Sequence, residues 1–124
     1  MEESEADDAS AQFLAKVETI ITKRLGDSDL YVNDIADELG MSRVQLYRKI
    51  KAMSDQNIND FIRKARLKQA LRLLQTTNKS VSEVAYEVGF STPSYFTRCF
   101  KDFSGISPSA ANTLNPNNIT PERV

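Results

Sequence analysis

Apolar residues recur along this chain at steps of three and four, and each run stops at a glycine or a polar loop. Phe13, Val17, Ile20, Ile21 and Leu25 mark one face of a first helix, which Ser10 can cap and which runs to about Gly26. Residues 26–29 read as a loop. A second, short helix occupies residues 32–39 and stops at Gly40; a third follows Ser42 and turns Leu46, Ile50 and Met53 inward. Ile58, Phe61, Ile62, Ala65, Ala70, Leu71 and Leu74 define the buried side of one long helix over residues 57–76, with Arg63, Lys64, Arg66, Lys68 and Arg72 on the rest of its surface. After the loop 76–79, Val81, Val84, Ala85 and Val88 form another short apolar face, ended by Gly89. Thr92 and Pro93 then have the character of an N-cap and first helical residue, and Phe96 and Phe100, four apart, point the following helix into a core. Ser42 with Gln45, and Ser80 with Glu83, have the spacing of capping boxes. The pattern predicts an all-α fold.

The short-helix, glycine, second-helix arrangement occurs twice. Val32, Ile35, Ala36, Glu38, Leu39, Gly40, Met41 and Ser42 fall opposite Val81, Val84, Ala85, Glu87, Val88, Gly89, Phe90 and Ser91. With one residue inserted after the turn, Leu46, Arg48, Ile50, Lys51 and Met53 fall opposite Phe96, Arg98, Phe100, Lys101 and Phe103. Two helix-turn-helix units are therefore expected, over residues 32–53 and 81–103, joined by the long helix. Packing explains the repeated apolar positions, but not the repeated outward arginine and lysine. Twenty residues of helix span roughly 30 Å, close to the roughly 34 Å turn of duplex DNA, so a long helix of that length fits two reading helices in successive turns of a major groove.

Charge sharpens this picture because it is divided along the chain. Residues 1–29 hold eight acids against three bases, and residues 30–108 hold eight against twelve, so a net charge of −1 conceals a basic central region. Residues 1–9, acidic and poor in apolar side chains, read as a disordered leader, residues 10–112 as the folded domain and residues 113–124 as a flexible tail. A single cysteine, Cys99, argues against a disulfide framework and fits a reducing cytoplasm, and the lack of histidine excludes His-based triads and His-ligated metals. No cofactor, metal or membrane contact is expected.

The runs IADELGMSRVQLYRKIK, RLKQALRLL and SVSEVAYEVGFSTPSYFTRCFKDFSGISP resemble the DNA-binding domain of the AraC/XylS family of bacterial transcription activators, in order and spacing, over residues 32–108. The resemblance implies about seven helices in a homeodomain-like arrangement and binding to an asymmetric duplex site, with RNA polymerase as a further partner. It implies base reading by Arg43, Val44, Tyr47 and Arg48 on the first recognition helix and by Pro93, Ser94, Thr97 and Arg98 on the second, with Tyr95 and Lys101 near phosphates and Lys51 a further DNA-binding residue. The first helix and the run that follows it look most like the output domain of hybrid two-component regulators. Three positions depart from the family pattern: Asp55 stands where many members have glycine, Ala111-Asn112 where an aromatic–arginine pair often closes the domain, and Tyr31 where the second unit has the capping Ser80.

Two other readings compete. A protein-interaction module on the same fold would use exposed Val44 and Tyr47, but has no reason to repeat Arg48 and Arg98. An enzyme would need Cys99 to be reactive, whereas a small thiol beside the buried Phe100 face reads as core.

Overall fold

The computed structural model describes residues 2–27 and 32–113, which form seven helices: α1 Glu2–Lys23, α2 Val32–Glu38, α3 Arg43–Ser54, α4 Ile58–Thr76, α5 Val81–Glu87, α6 Pro93–Ser104 and α7 Pro108–Thr113. α1 begins ahead of the expected Ser10 cap, so residues 2–9 are helical where a disordered leader was expected. Glutamate and alanine both favour helix. Tyr31 and residues 114–124 lie outside the described residues.

The helices divide between two compact units. In the first, α1 packs on both α2 and α3, which pack on each other. Its core joins Val17 and Ile21 of α1, Ile35 of α2, Leu46 and Ile50 of α3, and Ile58, Phe61 and Ile62 of α4. In the second unit, α5, α6 and α7 pack together, and Leu67, Ala70, Leu73 and Leu74 of α4 join Val84, Val88, Phe90, Phe96, Phe100 and Ala111. The loop after α1 also belongs to this second unit. Burying each of the larger of these side chains contributes about 1.5–3 kcal/mol.

The repeat extends further than the sequence match. Ser54 and Ser104, each the last residue of its helix, turn a hydroxyl back to donate to a carbonyl four residues earlier, Ile50 at 2.6 Å and Phe100 at 2.9 Å. Asp55 and Gly105 then both end their helices in the left-handed region, at φ 59° and 82°. Asn57 and Ser107 each accept from the backbone N–H three residues on, at 2.9 and 3.1 Å. Ile58 and Pro108 are buried at the start of the next helices, as are Phe61 and Ala111 one turn later. α7 is thus the counterpart of the first turn of α4. A fully buried Ala111 suffices where the family pattern has an aromatic residue, and the closing helix forms.

α4 is apolar on more sides than its predicted stripe. Leu67, Leu73 and Arg66 are buried, while Leu71, predicted buried, is half-exposed. The helix supplies one core up to Ala65 and the other from Leu67 onward.

Candidate nucleic-acid interface

The N-terminus of α3 is fixed by Ser42. Its hydroxyl accepts from the Gln45 amide at 3.1 Å, and the Gln45 side chain accepts from the Ser42 amide at 2.9 Å, completing the predicted capping box. With Leu46 and Ile50 fully buried, helical geometry turns the residues two positions further on to the opposite face, a rotation of about 200°. Arg43, Val44, Tyr47, Arg48 and Lys51 all lie on that exposed side. Val44 is 56% and Tyr47 37% exposed, so both are free to meet a partner. The Arg43 guanidinium carbon stands 5.7 Å from the centre of the Tyr47 ring, a cation–π distance that stiffens both. Lys51 is already engaged, 3.5 Å from the Asp55 carboxylate.

α6 repeats the design. Thr92 caps it by accepting from the Tyr95 amide at 3.3 Å, and Pro93 opens the first turn. Phe96 and Phe100 are fully buried, so Ser94, Thr97, Arg98 and Lys101 stand exposed on the other side, with Pro93 half-buried at the edge. These occupy the same five helical positions as the α3 set. Tyr95 does two things: it is 43% exposed, and its ring packs 5.8 Å from that of Phe90. Its counterpart Gln45 is held in the capping box. Lys101 has no local carboxylate equivalent to Asp55, because Gly105 stands there.

Two residues near these helices were not singled out by the sequence. Lys49 of α3 carries its ammonium 5.1 Å from the centre of the Phe13 ring, tying α3 to α1. Arg66, expected among the solvent-facing bases of the long helix, is only 7% exposed. It lies four residues after Ile62 and four before Ala70, and that spacing was the signal that placed it on the buried stripe. Its Nη1 donates to the carbonyls of Gly89 at 2.8 Å and Val88 at 3.3 Å, and its Nη2 to the Asp27 carbonyl at 2.8 Å. Burial pushes its pKa down from the ordinary value and the neighbouring Asp27 charge opposes this, but a guanidinium stays charged at any ordinary pH. Cys99 is half-buried against the Phe96–Phe100 core.

A family described as a helix-turn-helix domain, of the AraC type, matches residues 35–113, more than half of the chain and the whole of α3 and α6. The chain belongs to the AraC/XylS family. Members of this family are DNA-binding transcription regulators. The chain is 38% identical over 98 residues to histidine kinase P4 of Formosa agariphila, a match covering 79% of this chain and 7% of that protein. Among solved structures it is similar to the C-terminal domain of AraT, a response regulator from Geobacillus stearothermophilus (TM-score 0.72, 30% identity, 87% of this chain and 88% of that one). It is also similar to the DNA-binding domain of AdpA, a global transcriptional factor solved in complex with a target DNA (TM-score 0.70, 30% identity, 81% and 89%). The chain spans 7% and 37% of the length of the first two curated relatives it matches. Among the described residues, no helix of this AraC-type domain is long and apolar enough to cross a membrane.

Proposed function

We propose that this AraC-type domain binds one asymmetric duplex site through the major groove, with α3 and α6 as its two reading helices. Arg48 and Arg98 carry the reading: both are exposed, both sit at the same helical position, and both face away from a fully buried pair of apolar side chains. An arginine so placed can bond guanine O6 and N7 together, worth roughly 1–3 kcal/mol of discrimination. Arg43, Val44 and Tyr47 extend the α3 surface, and Pro93, Ser94 and Thr97 that of α6. Val44 suits a thymine methyl, and the hydroxyls of Ser94 and Thr97 suit bases or phosphates alike. Lys51, Tyr95 and Lys101 are assigned to phosphates; Lys51 must first leave Asp55. The chain serves as the output domain of a longer signal-responsive regulator of the two-component kind, activating transcription through RNA polymerase. Its likeness to a segment of a histidine kinase and to a response-regulator C-terminal domain supports that assignment.

The test is a base-preference profile from random duplex DNA at fixed salt. Arg48→Ala and Arg98→Ala should each cost roughly 1–3 kcal/mol on the best site and relax preference at one or two adjacent positions, about 10 base pairs apart for the two variants. Uniform weakening on all sequences, with the salt slope lowered by about one, would assign both side chains to phosphate instead.

A further inference from the structure

The two helix-turn-helix turns share a backbone hydrogen-bond pattern and differ in what surrounds them. In the first, Gly40 donates to the Asp37 carbonyl and Met41 to Ala36; in the second, Gly89 donates to Tyr86 and Phe90 to Ala85. Among the described residues, Gly40 has nothing within 4 Å of the place a Cβ would occupy. At Gly89 that place is 1.8 Å from Nη1 of Arg66 and 2.5 Å from the Leu25 carbonyl oxygen. The second turn is therefore enclosed, with an α4 guanidinium on it and the backbone of the loop after α1 beside it. That loop touches the turn at a further point, since a Cβ on Gly26 would sit 3.5 Å from the Glu87 carbonyl oxygen.

The chemistry of the enclosure is specific. Val88 and Gly89 lie at the C-terminal end of α5, where helix carbonyls lack intrahelical partners and carry the negative end of the dipole. A buried guanidinium is costly unless its donors are met; Nη1 and Nη2 of Arg66 find carbonyls, while its buried Nε finds no partner among the described residues. Here one fork spans two carbonyls of the turn and a third from Asp27, which a single ammonium on a flexible stem cannot reproduce. α6 starts at Pro93, four residues after Gly89, so the orientation of this turn sets the direction in which α6 leaves.

We propose that Arg66 is a positioning residue for DNA reading: by pinning the α5–α6 turn and the loop after α1 to one guanidinium, it fixes the pose of α6 without touching DNA. This rests on the assignment of α6 as a base-reading helix. Among the described residues the first turn has no such pin, so it serves as an internal control.

The experiment uses the whole chain and its Arg66→Lys and Arg66→Met variants. Amide hydrogen exchange under native conditions is read at Gly89 and Phe90 and at their counterparts Gly40 and Met41. Exchange in Arg66→Lys should rise about tenfold at the second pair and stay within about twofold at the first, as expected when one or two hydrogen bonds to a charged donor are lost. On random duplex DNA, Arg66→Lys should keep the base preferences assigned to α3 and lose much of those assigned to α6. Equal exchange at both turns, raised or unchanged, would overturn the proposal, because a residue that merely stabilises the fold moves both together. Selective exchange with an intact α6 preference would overturn it as well. Arg66→Met, which also removes the charge, should exaggerate both effects if it folds; Arg66→Lys decides the matter without it. A wild-type chain without base preference would sink the assignment of α6 itself, a failure seen before any substitution, and the pin is then judged by the exchange contrast alone.

Discussion

The two helix-turn-helix units are built on one backbone plan with different materials. The first fills its reading-helix core with aliphatic side chains, Leu46 and Ile50, with Met41 packed at its edge. The second uses rings: Phe90 lies 5.2 Å from Phe96, Phe96 5.6 Å from Phe100 and Phe100 6.5 Å from Phe103, between ring centres. Tilted and edge-on pairs of this kind add about 0.5–1.5 kcal/mol each beyond the area they bury. The first turn is open and the second is clamped by Arg66. The first reading helix ends on a strained aspartate and the second on a glycine. The rings and the clamped turn favour the second unit as the more rigid of the two. One fold can thus present the same five outward helical positions from a compliant support and from a stiff one.

The largest expected effect contrasts the cores. Phe96→Ala should cost about 3–5 kcal/mol and Leu46→Ala about 2–5, with Phe96 at the upper end because two ring partners are lost. Denaturant unfolding of both variants measures the gap, and equal costs would mean that the rings add nothing beyond area. The turns come next. Gly89→Ala meets backbone and guanidinium and should cost roughly 3 kcal/mol or more, whereas Gly40→Ala bears only left-handed strain, roughly 1–2 kcal/mol. If the two cost the same, the clamp is loose. Asp55→Gly then removes strain from the first unit and should stabilise the chain by up to about 1 kcal/mol; a loss of stability would show that the Lys51–Asp55 pair matters more.

The smallest effect concerns pH. The capping box of α3 uses neutral Gln45, and that of α5 uses Glu83, whose carboxylate accepts from the Ser80 amide at 3.0 Å. That backbone bond, helped by the Ser80 side chain, holds the Glu83 pKa below its ordinary value. A carboxyl lowered on folding lends stability that is present above its unfolded pKa and lost as pH falls through the folded one. Urea midpoints followed from neutral pH into the acid range should therefore show a small decline in the wild type that Glu83→Gln removes. An unchanged pH profile in that variant would rule out the Glu83 contribution.

Much of this plan was legible in residue order. Helical spacing, the two glycines and three of the caps placed the helices, and the inward Leu46, Ile50, Phe96 and Phe100 placed the exposed set by elimination. The start of α1 was not legible, because a run of acids with few apolar residues looks the same in a solvated helix as in a free chain. The role of Arg66 was hidden for a different reason. Its partners are carbonyls, which every residue carries, so no side-chain pattern announces them. The closing repeat of Asn57–Ile58 with Ser107–Pro108 was missed because a cap and a buried first residue can be made from dissimilar side chains.

The Asp27 carbonyl has a consequence for anyone wishing to borrow part of this domain. The second helix-turn-helix unit is not a continuous stretch of chain: its buried guanidinium takes one of its three carbonyl partners from a loop that lies 39 residues before Arg66. A fragment cut to begin at α4 would keep both helices of the second motif, yet inherit a buried cation short of one acceptor and a bare patch where Leu25 had packed. Such a half is a poor building block, and recombination between relatives is best made outside residues 25–89, so that donor and acceptor are always inherited together.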